Sequence, residues 1–188
     1  MILSVIVNLV IAACVFRAVV IHCRKNPISV VMRFFTVLSN LFCALSCLAF
    51  ALGRLSGNIP LALYILKYMS TCAVTVTLVT VLVFLGPRLG YKFLLSGPDF
   101  WLHFAVPVLA IVTYLAWDHT SMRGWAVLLG ALPVIVYGAL YLYKVVLVSP
   151  EKGWPDFYGF NQNGKWPVSF AAMITAGFVI SGIFWLFS

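Results

Sequence analysis

The chain has 188 residues, of which 64% are hydrophobic and 9% charged, and its net charge is +8. A soluble domain carries about 45–50% apolar and about 25% charged residues, so no water-soluble fold could cover this much apolar surface. Disorder, collagen-like repeats and nucleic-acid-binding domains are excluded by the same arithmetic, which leaves an all-α polytopic membrane protein.

Six apolar stretches follow one another, near residues 1–22, 31–53, 60–85, 98–117, 125–148 and 167–187. A spanning helix needs about 20 residues, so they predict a six-transmembrane-helix bundle over a single domain, 1–188. The first stretch has no basic leader and no cleavage motif before Arg17, and is expected to stay as a spanning helix rather than be removed as a signal. Turn chemistry separates the stretches: Asn26-Pro27, Gly53 to Pro60, Gly86-Pro87, Gly97-Pro98, Asp118 to Gly124 and Pro150 to Pro167. Five cysteines (Cys14, Cys23, Cys43, Cys47, Cys72) sit in or beside apolar runs with no CxxC spacing, as small packing residues do.

Basic residues set an expected orientation. Connections 1–2, 3–4 and 5–6 hold Arg24, Lys25, Arg88, Lys92, Lys152 and Lys165, against Arg54 and Arg123 on the other side. The excess places those three connections in the cytoplasm and both termini outside. Trp101, Trp154 and Trp166 fall at one interface and Trp117, Trp125 and Trp185 at the other, two aromatic belts consistent with six spans.

Polar residues inside the spans carry the functional information, because an apolar helix could have avoided them. The second stretch places Arg33, Thr36, Asn40, Cys43 and Cys47 on one face, by spacings of three and four. Such a stripe either packs helices through small hydrogen-bonding residues or lines the bundle interior. The third bears Tyr64, Lys67, Thr71 and Thr75 on one face; Lys67 is expected to snorkel outward, and Thr77 and Thr80 to bond preceding carbonyls. The fourth opens Asp99-Phe-Trp-Leu-His103, with Asp99 one turn before His103. A histidine at that place is either an interfacial packing residue or a base. Thr36 and His103 each lie about five residues into helices that run the same way, so at about 1.5 Å per residue they share a depth. A hydroxyl and an imidazole at one level can form a nucleophile–base pair. Pro107 and Pro133 lie inside the fourth and fifth stretches and should kink them. Tyr137 and Tyr141 form an i,i+4 pair, and the aromatic run from Gly153 to Asn161 should fold against the mouth of the bundle. No metal-ligand spacing, phosphate loop or carboxylate pair occurs, so neither a metal nor a cofactor is implied.

Arg33-Phe-Phe-Thr36-Val-Leu-Ser-Asn40, Leu102-His103-Phe-Ala-Val-Pro107 and Pro133-Val-Ile-Val-Tyr137 together resemble, in order and spacing, the androgen-induced-gene family of multipass proteins. That family includes the androgen-dependent tissue-factor-pathway-inhibitor-regulating protein and bacterial relatives. The resemblance runs from the second stretch into connection 5–6. It implies a transmembrane threonine hydrolase acting on fatty acid esters of hydroxy fatty acids, in a bacterial cell membrane, with Thr36 as nucleophile and His103 as the essential histidine. The family's Tyr-Pro-aromatic loop is matched only loosely, by Trp154-Pro-Asp-Phe-Tyr158.

The expected function is therefore hydrolysis of a lipid ester from within the cytoplasmic leaflet. The membrane and an acyl ester are the partners, and nucleic acid is not one. Asp99 either orients His103 or complements the helix dipole, and a backbone carbonyl is the other orienter to consider. Asn40, or a backbone amide, would donate to the oxyanion. Arg33, Tyr137 and Trp154 are assigned to substrate binding. Pro107 should bend the fourth helix away from the second and open an acyl cavity between them. The alternative is a non-enzymatic bundle that binds or moves a small amphiphile.

Overall fold

The computed structural model describes residues 2–149 and 151–188. The expected helix start at Met1 and the turn residue Pro150 lie outside the described residues. The fold is all-α. Its six long helices are α1 (Ile2–Lys25), α2 (Phe35–Leu55), α3 (Leu61–Leu89), α4 (Gly97–Ala116), α5 (Ala126–Leu147) and α6 (Trp166–Leu186). Each is long and apolar enough to cross a membrane, which makes this a multipass integral membrane protein.

Helix α3 is the hub, packing against α2, α4, α5 and α6, while α1 packs on α2 and α4. Its middle, Ser70-Thr-Cys-Ala-Val-Thr-Val-Thr77, explains why: the residues are small, so neighbouring helices approach on several sides, and all eight are buried. The hydroxyls of Ser70, Thr75 and Thr77 bond carbonyls three or four residues back, so the helix satisfies them itself. Gly130 on α5 marks the closest approach. A Cβ there would stand 2.2 Å from Ser181 Oγ of α6 and 2.7 Å from the Tyr68 ring of α3. Ser181 ties the three helices, meeting the Tyr68 hydroxyl at 2.7 Å and donating to the Val127 carbonyl at 2.8 Å.

α3 runs on to Leu89, through the expected Gly86-Pro87 turn, and by the same four residues α2 begins late, at Phe35 rather than near 31. A four-residue helix, Ile28–Val31, precedes it, and Phe34 is extended (φ −86°, ψ 129°). The break is supported by tertiary partners. The Tyr137 hydroxyl donates to the Arg33 carbonyl at 2.7 Å, and the Phe35 N–H donates to the Tyr158 phenol at 3.0 Å. Both replace bonds that a continuous helix would have made.

Lys67 does not snorkel. It is fully buried on α3, and its ammonium donates to Asn8 Oδ1 at 2.6 Å and Cys47 Sγ at 3.0 Å, with Asp118 Oδ2 at 3.6 Å. Asp118, read from sequence as a loop residue, is equally buried. It accepts from Ser4 Oγ at 2.6 Å and Asn8 Nδ2 at 2.7 Å, and Arg54 lies 3.8 Å away. The physical reason is mutual. A carboxylate just past the end of α4 and an ammonium on α3 can both be buried once α1 supplies Ser4 and Asn8 to fill their remaining hydrogen bonds.

Candidate functional site

The site lies at the end of the bundle that carries connections 1–2, 3–4 and 5–6. A cavity of about 280 Å³ opens there between α2, α3, α5, α6 and connection 5–6. Its wall is mostly apolar (Val76, Val81, Leu85, Val134, Met173, Ile180), with Thr36, Thr77, Thr80, Arg88, Tyr137, Tyr141, Tyr158 and Ser169 as polar points. Ligand pockets run from about 300 Å³ upward, so the volume suits a small ligand or part of a chain.

Because α2 starts at Phe35, Thr36 stands in its first turn, nearly buried and facing this cavity. The expected cavity between α2 and α4 is not the one that forms. Cys43 and Cys47 of α2 and Leu102, Val106 and Ala110 of α4 share one packed cluster with α1, and α4 contributes no lining residue. The space lies on the opposite side of Thr36 instead.

A π-helical turn, Trp101–Ala105, carries His103. The Val106 N–H reaches back five residues to the Trp101 carbonyl, so the next bond in register would join residue 107 to the Leu102 carbonyl. Residue 107 is proline and has no N–H, so that carbonyl is left free. Asn40 takes it. The Asn40 Nδ2 donates at 2.9 Å to the Leu102 carbonyl and at 2.7 Å to the Thr36 carbonyl, so one amide group holds together the turns that carry Thr36 and His103. Both of its N–H groups are thereby engaged, which leaves neither for the oxyanion role expected from sequence.

His103 is buried, and its Nδ1 lies 2.7 Å from the Leu94 carbonyl. A carbonyl only accepts, so the proton resides on Nδ1 and the lone pair on Nε2. That is the tautomer a general base needs. The group at Nδ1 is thus a backbone carbonyl and not Asp99, whose carboxylate instead sits 3.1 Å from His22 Nε2 of α1. Helix α1 passes beside the start of α4 and brings its histidine next to the carboxylate. Among the described residues, no hydrogen bond joins Thr36 to His103.

The three residues assigned to substrate binding come together in part. Tyr137 lines the cavity while bonding the Arg33 carbonyl, and the Arg33 guanidinium lies 6.0 Å from the centre of the Trp154 ring. Arg33 and Trp154 are not in the cavity wall, and hold connection 5–6 against α2 instead. Sequence reasoning missed Tyr158, which lines the cavity beside Thr36 with its phenol on the first amide of α2. The aromatic density of the 153–161 segment and the loose Trp154-Pro-Asp-Phe-Tyr158 motif were the available signals.

Comparison with family models, curated proteins and solved structures returns no match.

Proposed function

We propose that the protein is an intramembrane hydrolase of acyl esters, with Thr36 as nucleophile and His103 as base. The observation that carries this is a hydroxyl in the first turn of a helix, facing an apolar cavity, one side-chain bridge away from a histidine held with Nε2 free. The acyl chain would occupy the cavity among Val76, Val134, Met173 and Ile180. Thr36 Oγ would bond to the ester carbonyl carbon, its proton passing to Nε2 and the carbonyl π pair moving to oxygen. Collapse would break the bond to the leaving alkoxide, which takes the proton from His103 and departs as an alcohol. Water would then attack the acyl-threonine by the same route and release the fatty acid. Catalytic hydrogen bonds commonly form only once substrate is bound. Fatty acid esters of hydroxy fatty acids are the substrate we assign from the motifs, with the 5–6 end facing the cytoplasm of a bacterial cell.

A second reading, a bundle that binds or moves an amphiphile without chemistry, draws on the absence of a Thr36–His103 hydrogen bond. One experiment separates the two. A hydrolase is labelled by an alkyl fluorophosphonate at Thr36 and loses labelling in Thr36→Ala and His103→Ala. A protein that neither labels nor turns over p-nitrophenyl decanoate is a binding bundle.

A further inference from the structure

The reaction at Thr36 needs a donor for the carbonyl oxygen as it gains charge, and Asn40 has no N–H left to give. Among the donors in the cavity wall, which include Thr80, Arg88 and Ser169, Tyr158 is the one bonded to the first amide of α2. Tyr158 is delivered by connection 5–6, whose turn is built on Asp156. That carboxylate accepts the Phe160 N–H at 2.7 Å, the Asn161 N–H at 2.8 Å and the Tyr141 hydroxyl at 3.1 Å. The Tyr158 N–H donates to the same Tyr141 hydroxyl at 3.3 Å, and its ring packs against Phe157 and Tyr141 at centroid distances of 4.7 and 5.3 Å. Gly159, at φ +67°, turns the chain away where a Cβ would meet the Arg88 guanidinium. The ring is thus fixed from both sides. Its oxygen accepts the Phe35 N–H at 3.0 Å, the amide next to Thr36, and Tyr158 and Thr36 both line the cavity.

We propose that the Tyr158 hydroxyl is the oxyanion donor of the site: it donates its O–H to the carbonyl oxygen of the ester attacked by Thr36, while its own oxygen keeps the Phe35 N–H. The proposal rests on Thr36 being the nucleophile. No bond is made to Tyr158, and its proton stays with it throughout. Three features suit the role. Accepting one hydrogen bond polarises the phenol and strengthens the one it donates. The oxygen sits on the positive end of the dipole of α2, where developing negative charge is favoured. Burial raises the Tyr158 phenol above its ordinary value, so it remains a protonated donor and is not a base. Because the ring is already anchored, little reorganisation accompanies charge development.

The competing role is a purely structural cap on α2, and the tests are chosen to separate the two. Tyr158→Phe keeps the ring and removes the hydroxyl. On p-nitrophenyl decanoate, kcat is expected to fall by about a hundredfold or more with KM within about twofold, the size of one lost oxyanion donor. Fluorophosphonate labelling of Thr36 should slow by a similar factor. Affinity for a decyl trifluoromethyl ketone, whose threonine adduct carries the oxyanion, should fall likewise while affinity for decanol is unchanged. Replacement of the ring by difluorotyrosine, which keeps shape and hydroxyl, should move the alkaline limb of the kcat profile to lower pH. The proposal is overturned if Tyr158→Phe keeps kcat and labelling near wild type. It is also overturned if the loss is shared by decanol binding and thermal stability, or if difluorotyrosine leaves the pH profile unmoved. Labelling that survives Thr36→Ala would remove the nucleophile and this proposal together, whereas Thr36-dependent labelling that ignores Tyr158 would remove this proposal alone.

Discussion

Asp99 and Lys67 show how much a single partner changes what a charged side chain does. Asp99 is spaced to meet His103 along one helix face, yet His22 of α1 takes its carboxylate and the Leu94 carbonyl takes the imidazole. Asp99→Asn should therefore leave ester turnover within about twofold of wild type. A hundredfold loss, about 2.7 kcal/mol in the barrier, would return the carboxylate to the base. Lys67 has the opposite character, because nothing about it is free to change. Removing one partner of a buried pair leaves an uncompensated charge and costs about 3–5 kcal/mol. Lys67→Met should destabilise the protein by roughly that amount, measured by unfolding in detergent. Adding Asp118→Asn to Lys67→Met should cost less than the two changes do separately, since each removes the charge that strands the other.

At the scale of elements, the π-helical turn in α4 is set by what Pro107 cannot do. With no N–H at residue 107, the Leu102 carbonyl goes to Asn40, and α4 is pinned to α2 beside Thr36. Pro107→Ala supplies the missing donor and competes for that carbonyl. The helix should be as stable as before or more so, since proline is the poorest helix residue by about 3 kcal/mol. The bridge to Asn40 should weaken and His103 shift. A melting temperature that holds or rises while ester turnover falls is the expected pair of results; unchanged turnover would show that the bridge does not position His103. Gly130 governs the contact of α5 with α3 and α6, where any Cβ meets Ser181 and Tyr68. Gly130→Ala should overpack this contact and cost about 1–3 kcal/mol, read as lowered thermal stability.

Over the whole molecule, polar groups divide between the two ends of the bundle. At the end opposite connection 5–6, α1, α2, α3 and Asp118 close around a satisfied ionic cluster. At the 5–6 end, α1, α2 and α4 pack together, while α2, α3, α5 and α6 stand far enough apart to leave the cavity. An acyl chain held there would run beside Ala176 of α6, which lies in its wall. Ala176→Phe fills that space. Hydrolysis of p-nitrophenyl decanoate should fall at least about tenfold, about 1.4 kcal/mol, with the acetate ester affected much less. An equal loss on both esters would mean that the cavity does not hold the chain.

Composition and periodicity alone determined the six apolar helices and the all-α class. These follow from local spacing and from the hydrogen-bonding demands of a bilayer, which leave little choice of fold class. The buried face of α2 that carries Thr36, Asn40, Cys43 and Cys47 was legible for the same reason, since it depends on distances along one helix, whereas Arg33 lies before that helix begins. Partners were not. Whether Lys67 meets lipid headgroups or Asp118, whether Asp99 meets His103 or His22, and where α2 begins all depend on groups brought from elsewhere in the chain. Asp118 lies 51 positions after Lys67 and is buried only because Ser4 and Asn8 complete its shell. The first turn of α2 is supported by hydroxyls from Tyr137 and Tyr158, more than a hundred residues further on. Spacing along a helix states which side chains share a face. Only packing decides which donor reaches each acceptor, because a buried polar group takes whichever partner the neighbouring helix presents.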